Sequence, residues 1–461
     1  MTLIKSISGI RGTIGGVPGD NLTPIDVVQF AAAYGTWLKS VSTASKLKVV
    51  VGRDARLSGE MIATLVVQTL VGLGIDVIDL GLSTTPTVEM AVPFHQANGG
   101  IILTASHNPK QWNALKLLNA KGEFISASEG ELLLDIATKG SFFFAEVDDL
   151  GKVSSDTAAI QRHIESILAL PDVDVAAIKA ANFKVVVDAV NSTGGISVPL
   201  LLRKLGVSEV IEMYCDPTGH FPHNPEPLKE HLTDLSARVI SEKAHLGITV
   251  DPDVDRLALV NEDGSMFGEE YTLVAVSEYI LTKRKGATVS NLSSTRALRD
   301  ITEDVGCNYF ASAVGEVNVV VKMKEVNAVI GGEGNGGIIY PDLHYGRDSL
   351  VGIALFLSHL AHKKKSMTAL RASYPNYEMA KKKIDLQAGI DVDAILSKMA
   401  ANYANEEVDT TDGVKIYIGK EWVHLRKSNT EPIIRVYTES ENAQSADALA
   451  DKIMDEIRSM I

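Results

Sequence analysis

One unit recurs three times along the 461-residue chain, and that recurrence limits the fold more than any other feature. A β-branched run at Lys46–Val51 leads into the loop Gly52-Arg53-Asp54 and a helix-like stretch from Gly59 to Leu73. Gly74 and a second strand-like run, Ile75–Leu80, complete it. The same order returns at Phe183–Val187, Val198–Leu205, Gly206 and Val207–Met213. It returns again at Ala287–Val289, Ala297–Val305, Gly306 and Cys307–Ala311. Each glycine falls where a helix ends in the left-handed conformation. Each copy then adds a third apolar run that stops at a polar cluster. Gly100–Thr104 precedes Ala105-Ser106-His107-Asn108-Pro109, and Leu246–Val250 precedes Asp251-Pro252-Asp253-Val254-Asp255-Arg256. Ala328–Ile330 precedes Gly331-Gly332-Glu333-Gly334-Asn335-Gly336-Gly337. Strands alternating with helices predict open α/β sheets covered on both faces, with ligands beyond the carboxyl ends of the strands. Three tandem α/β domains with mixed open sheets around a central cleft are expected, each aiming one polar loop into it.

From about Tyr374 the pattern changes. Strand-like runs at Met379–Leu386, Gly413–Ile418, Trp422–Leu425 and Ile433–Thr438, with helices at Asp391–Tyr403 and from Ala443, predict a C-terminal antiparallel α+β domain. The expected boundaries are 1–152, 153–256, 257–370 and 371–461.

Charge and composition exclude several functions. Lys plus Arg is 44 against 58 Asp plus Glu, a net −14, and no basic block exceeds runs such as Lys363–Lys365 and Lys381–Lys383, which read as solvated faces. An acidic chain without a basic stripe is not expected to bind nucleic acid. The longest apolar stretch, Leu350–Leu360, is about half a membrane span and predicts a buried helix. Met1–Lys5 does not open a secretory signal. Cys215 and Cys307 are too few for a disulfide framework and lack zinc spacing. A cytoplasmic protein is expected, with no membrane partner; nothing in the sequence specifies an oligomeric state.

The loops carry the chemistry. Ser106 lies just past a buried strand with His107 beside it, but GxSxG is absent and neighbouring residues rarely reach hydrogen-bond geometry, which disfavours a hydrolase. An Asn-Pro turn whose Ser caps a helix is the plain alternative. Lys116, in the apolar run Leu115–Leu118, is placed to reach the same cleft. Asp251, Asp253 and Asp255 sit about 6.6 Å apart in a straight strand. They share one ion only if the chain curls, which Pro252 permits. Such oxygen ligands select a hard cation such as Mg²⁺. An EF-hand fails because Arg256 stands where its loop needs glycine and Leu257–Val260 leaves as a strand. The glycine-rich loop lets backbone approach a ligand, with Glu333 and Asn335 as polar ends, or is simply a flexible connector; it fits neither a Rossmann fingerprint nor a Walker A loop. Arg426-Lys427-Ser428-Asn429-Thr430-Glu431-Pro432 with Arg435 joins two strands. It reads as a phosphate cradle of two guanidinium groups and hydroxyl donors, against the alternative of an Asn turn with surface arginines.

Across essentially its whole length the chain resembles the α-D-phosphohexomutase family. The resemblance rests on TASHNP at 104–109, DPDVDR at 251–256, GEGNG at 332–336 and RKSNTEP at 426–432, together with Ser8-Gly9-Ile10-Arg11-Gly12 and Gly52-Arg53-Asp54. It implies a phosphorylated Ser106 that, with Asp251, Asp253 and Asp255, binds Mg²⁺. Arg11, His107, Lys116 and Arg256 would line the reacting centre, with Lys116 as the proton-transfer residue, a role that asks for a lowered pKa. Glu333 and Asn335 would hold sugar hydroxyls, and Arg426, Ser428, Asn429, Thr430 and Arg435 the distant phosphate. The implied activity moves phosphate between O6 and O1 of a hexose phosphate through a hexose 1,6-bisphosphate. Asn335 stands where the family usually has Ser and Gly337 where many members have His, a variant that resembles glucosamine-phosphate members of archaeal type. Glucose or mannose phosphates are the alternative substrates; a phosphatase and an inactive sugar-phosphate sensor are the rival functions.

Overall fold

The structure, a computed structural model, describes residues 2–6, 9–387, 390–428 and 432–460. The chain divides into two compact units, Met1–Glu269 with Gly337–Met367, and Glu270–Gly336 with Thr368–Ile461.

The first unit holds two mixed sheets. One has seven strands in the order Ile4–Ser6, Gly9–Thr13, Trp112–Leu118, Gly99–Leu103, Lys48–Arg53, Asp76–Leu82 and Val153–Ser155. Lys48–Arg53 runs parallel to both its neighbours, whereas Trp112–Leu118 is antiparallel to both of its own. Alternation sends Val49 and Val51 into one core with helices Pro24–Val41 and Gly59–Gly72. Val50 packs on the opposite face with Val88 and Val92 of helix Thr85–Phe94. Burial on both faces explains why these strands read as continuous apolar runs. The second sheet has the order Leu257–Asn261, Leu246–Val250, Lys184–Asp188, Glu209–Met213, with only the first strand antiparallel. Leu350–Leu360 lies in helix Ser349–Lys363, buried from Ser349 to Ala361.

In the second unit, Thr288–Asn291 runs between parallel strands Tyr309–Ser312 and Ile330–Glu333. The C-terminal part is a five-stranded antiparallel sheet ordered Glu378–Asp385, Ile433–Ser440, Glu421–Lys427, Val414–Ile418, Glu407–Asp409. Helices Val392–Asn402 and Ala443–Arg458 share one core with it. The edge strand Glu407–Asp409 has no counterpart in the sequence reading, because three residues with acidic ends give no apolar alternation. Gly74, Gly206 and Gly306 all adopt the left-handed backbone expected of them, at φ +78°, +83° and +74°.

Candidate active site

Ser106 is presented by a strained turn. Strand Gly99–Leu103 ends at Thr104, and Ser106 takes φ +48°, a conformation that costs energy for a residue with a Cβ. The fully buried Arg56 holds the turn open. Its Nη2 donates to the carbonyls of Ser106 and Asn108 at 2.5 and 2.6 Å, and Nη1 to those of Pro109 and Trp112 at 2.8 and 3.0 Å. Its Nε donates to Asp54 Oδ2 at 3.0 Å, and that oxygen also accepts from Thr104 Oγ1 at 2.7 Å. Sequence reasoning stopped at Gly52-Arg53-Asp54 and missed Arg56, two residues on. The surplus of carbonyls in a tight turn is the signal that such a donor is needed.

The acidic loop curls as the sharing of one ion by its three carboxylates requires. Strand Leu246–Val250 stops before Pro252, and Val254 takes φ +66°. Asp251 Oδ1 accepts from the backbone N–H groups of Asp255 and Arg256, both at 3.1 Å. Asp251, Asp253 and Asp255 are fully buried, and one carboxylate oxygen of each lies within 4.8 Å of the others. Ser106 Oγ donates to Asp251 Oδ2 at 2.6 Å, which brings the two loops to one point. Around them stand Thr85, whose hydroxyl donates to Asp253 Oδ2 at 2.5 Å, and Lys116, 2.7 Å from Asp253 Oδ2 and 3.2 Å from Asp255 Oδ2. Arg347 Nη2 donates to Asp255 Oδ2 at 2.8 Å. Neither Thr85 nor Arg347 was anticipated, since nothing local in sequence ties them to residues some 90 to 170 positions away.

The electrostatics of this cluster call for a cation. Burial, and then Asp253 and Asp255, push the Asp251 carboxyl well above the usual range. Asp253 Oδ1 and Asp255 Oδ1 are buried with no hydrogen-bond partner among the described residues. An all-oxygen donor set with lone pairs left over fits a hard divalent ion. Lys116 departs from the expected behaviour: burial opposes its charge, but Asp253 and Asp255 outweigh it and raise the pKa above that of an ordinary lysine. It is held as an ammonium, not tuned toward a neutral base. His107 is pushed down to about 3 by burial and by Arg256, so its imidazole is neutral, with Nδ1 at 3.4 Å from Ser106 Oγ. Arg11 donates to Asn108 Oδ1 at 3.2 Å, and its pKa is lowered by burial and by the charge of Arg256. Arg256 is 3.5 Å from Glu226. Arg11, Arg256 and Arg347 are all felt electrostatically at His107, next to Ser106, so positive charge surrounds this turn.

The remaining candidates lie in the second unit. Glu333 is buried at the end of strand Ile330–Glu333, where its Oε1 accepts from Asn291 Nδ2 at 2.8 Å and from the Gly315 N–H at 3.2 Å. Asn335 is half-buried in the following turn. A Cβ at Gly334 would fall 1.9 Å from Glu270 Oε2, so a larger residue there would have to displace the Glu270 carboxylate. Arg426 and Arg435 are direct register partners on adjacent strands, and Lys383 lies opposite Arg435 on its other side. The Lys381–Lys383 run, expected as a solvated face, thus contributes to a row of three cations. Asp412 takes up part of this charge, with Oδ2 at 2.9 Å from Arg426 Nε but not aligned as a hydrogen bond. Ser428 is described, whereas Ser8, Asn429 and Thr430 lie outside the described residues.

Three of these loops follow a strand of an α/β sheet, and the fourth follows a strand of the C-terminal antiparallel sheet. The phosphoglucomutase/phosphomannomutase family matches domain by domain: alpha/beta/alpha domains I, II and III over residues 3–143, 161–264 and 268–377, and the C-terminal domain over 376–456. The chain is 35% identical over 441 residues to the phosphoglucomutase/phosphomannomutase of Thermococcus kodakarensis, covering 94% of this chain and 95% of the relative. It is 32% identical to the phosphoglucosamine/phosphogalactosamine mutase of Sulfurisphaera tokodaii, covering 96% and 97%. The crystal structure of a phosphoglucomutase/phosphomannomutase family protein from Burkholderia thailandensis superposes with a TM-score of 0.85 at 25% identity, covering 100% of this chain and 98% of that one. The chain belongs to this family, the α-D-phosphohexomutases, and is an intramolecular phosphotransferase.

Proposed function

We propose that phospho-Ser106 gives its phosphoryl group to the free O1 or O6 hydroxyl of a hexose monophosphate. The Ser106 Oγ–P bond breaks, a sugar O–P bond forms, and the sugar hydroxyl gives up its proton as Ser106 Oγ gains one. The resulting 1,6-bisphosphate then returns its other phosphate to Ser106 by the reverse step. The observation that carries this reading is the 2.6 Å contact from Ser106 Oγ to Asp251 inside a buried triad of carboxylates faced by Lys116 and Arg347. Lys116 is the proton-transfer residue, working from its ammonium form: it protonates Ser106 Oγ as the serine leaves and recovers a proton from the attacking hydroxyl. Arg11 and Arg256 assist by attracting the phosphoryl oxygens, and the neutral His107 by offering them a ring N–H. Mg²⁺ bound by Asp251, Asp253, Asp255 and the phosphoserine would supply Lewis-acid neutralisation of charge on the phosphoryl group. Most of the acceleration then comes from positioning and preorganised charge.

Glu333 and Asn335 hold sugar hydroxyls in this reading, while Arg426 and Arg435 with Ser428, Asn429 and Thr430 bind the phosphate that is not reacting. The substrate is glucosamine 6-phosphate, converted to glucosamine 1-phosphate in the cytoplasm. The fixed carboxylate of Glu333 and the amide carbonyl of Asn335 favour an ammonium at C2, and the name of the Sulfurisphaera relative agrees. A second reading, glucose and mannose phosphates, is favoured by the name of the Thermococcus relative. Because hydroxyl and amine are poorly separated unless a buried group is left unpaired, overlapping activity is expected. Comparing kcat/KM for glucosamine, glucose and mannose phosphates in one assay that separates isomer from free phosphate tests the reading. A tenfold preference for glucose or mannose phosphate overturns the substrate, and free phosphate as the main product overturns the mutase.

A further inference from the structure

Behind the acidic loop, in the same unit, lies a second group of metal-binding side chains that the phosphoryl-transfer mechanism does not use. His163 and Asp348 are buried, His344 is nearly so, and one ligand atom of each lies within 4.8 Å of the other two. Nε2 of His163 is 2.9 Å and Nε2 of His344 3.3 Å from the same oxygen, Asp348 Oδ2. The outward nitrogens are also placed. His163 Nδ1 meets Thr87 Oγ1 at 2.9 Å, and that hydroxyl meets Thr84 Oγ1 at 2.7 Å. His344 Nδ1 faces Glu89 Oε2 at 3.4 Å. Gly346 makes room for this arrangement, because a Cβ there would fall 2.0 Å from the Glu89 oxygen. The other oxygen of Asp348 caps helix Ser349–Lys363 by accepting from the N–H groups of Leu350 and Val351.

We propose that His163, His344 and Asp348 bind a divalent ion of the zinc class, separate from the cation of the aspartate triad. With His163 Nδ1 bonded to the Thr87 hydroxyl and His344 Nδ1 facing the Glu89 carboxylate, both rings can turn a bare Nε2 lone pair inward, and such outer partners orient metal-ligating histidines. Donors around a tetrahedral zinc ion are about 3.3 Å apart, close to the 2.9 and 3.3 Å found. Without an ion, both Nε2 atoms would have to carry the ring proton to bond Asp348 Oδ2, which leaves the bare Nδ1 of His344 facing a carboxylate oxygen of Glu89 across 3.4 Å. One divalent ion instead balances Asp348 and Glu89 and leaves both rings neutral. Imidazole ligands distinguish the site from the all-oxygen triad, which suits Mg²⁺. The ion would act as a clamp: Arg347, beside Asp348, donates to Asp255, the Ser349 N–H donates to the Val254 carbonyl, and Thr85 on the Thr87 helix donates to Asp253.

Full-length protein stripped with a chelator and then saturated with Mg²⁺ is titrated with Co²⁺ and read by visible absorption. One equivalent should bind with the intense d–d bands of a low-coordinate, nitrogen-ligated ion, unchanged in Asp253→Asn and lost in His163→Gln and His344→Gln. Glu89→Gln, which keeps the fold's volume and removes only the outer-shell charge, should weaken Co²⁺ binding about tenfold or more. Bands no stronger than those of hydrated Co²⁺, or bands that survive both histidine changes or vanish with Asp253→Asn, overturn the proposal. Loss of bands with unchanged Mg²⁺ dependence of turnover separates this site from the phosphoryl-transfer reading.

Discussion

Two like-charge clusters, one in each unit, solve opposite problems in different ways. The three aspartates at 251–255 are fully buried and arrive with their own countercharges, Lys116 and Arg347, plus the Thr85 hydroxyl. The cations at 383, 426 and 435 form a row across neighbouring strands, with Asp412 touching Arg426 and Asp385 touching Lys383. Directly opposed like charges destabilise a sheet, and in the proposed function an anion offsets that repulsion. The acidic cluster, by contrast, is organised before any ligand arrives, because burying three carboxylates without fixed partners would cost more than the fold can supply. Chemistry is therefore expected to depend on the first cluster and affinity on the second.

The largest effect should come from Ser106→Ala, which removes the nucleophile and should abolish isomerisation, at least ~10⁴-fold, while hexose-phosphate affinity stays within about tenfold. Near-normal turnover, with contaminating enzyme excluded by mass spectrometry, would take Ser106 out of the mechanism. Asp253→Asn comes next. Losing one of three ligand charges should lower kcat by roughly 10³-fold and raise the Mg²⁺ concentration needed for half-maximal rate. If chelator-treated wild-type protein keeps full activity, the acidic cluster serves no ion and the contrast with the basic row disappears.

The two clusters also differed in how much of them was legible. The aspartates and Ser106 were evident because each follows an apolar run, and strand ends are where an α/β sheet places its chemistry. The left-handed glycines and the buried helix at 349–363 were readable for the same local reason. Arg56, Thr85 and Arg347 were not, because they act by reaching across the fold. Arg56 is 50 positions from Ser106, and Arg347 is 92 from Asp255. Lys116 was placed correctly, but its charge state depends on two carboxylates that meet it only after folding. The basic row was half legible: Arg426 and Arg435 lie close together in sequence, whereas Lys383 and Asp412 join through strand register and a neighbouring loop.

Arg426→Ala tests the affinity half of the comparison. Removing a charge-assisted anion contact should weaken hexose-phosphate binding by about 2–3 kcal/mol, with kcat at saturation changed far less. Calorimetry with phosphorylated and unphosphorylated sugar measures it, and equal affinity of the wild type for both would end the cradle reading. Arg347→Ala probes the other cluster from its edge. It leaves Asp255 with one cation instead of two, and kcat should fall about tenfold with KM nearly unchanged, Arg347→Lys recovering part of the loss. A change in KM alone would mean that Arg347 serves binding and does not position the acidic loop.

The smallest expected effect is the most discriminating, because its sign is in question. Asp412 Oδ2 lies 2.9 Å from Arg426 Nε and also accepts from the Val314 N–H at 2.9 Å, and both members of the ion pair are about a quarter exposed. A partly exposed pair of this kind contributes at most about 1 kcal/mol. Its Nε is not aligned as a hydrogen bond, so the guanidinium keeps donors for an incoming phosphate. Asp412→Asn preserves the carbonyl that Val314 uses and removes only the charge that competes with the anion. Hexose-phosphate affinity should then rise about threefold at low salt, with the gain shrinking as ionic strength screens it. Should affinity fall instead, Asp412 orients Arg426 for the phosphate, and the basic row would be preorganised by its own countercharge just as the acidic triad is.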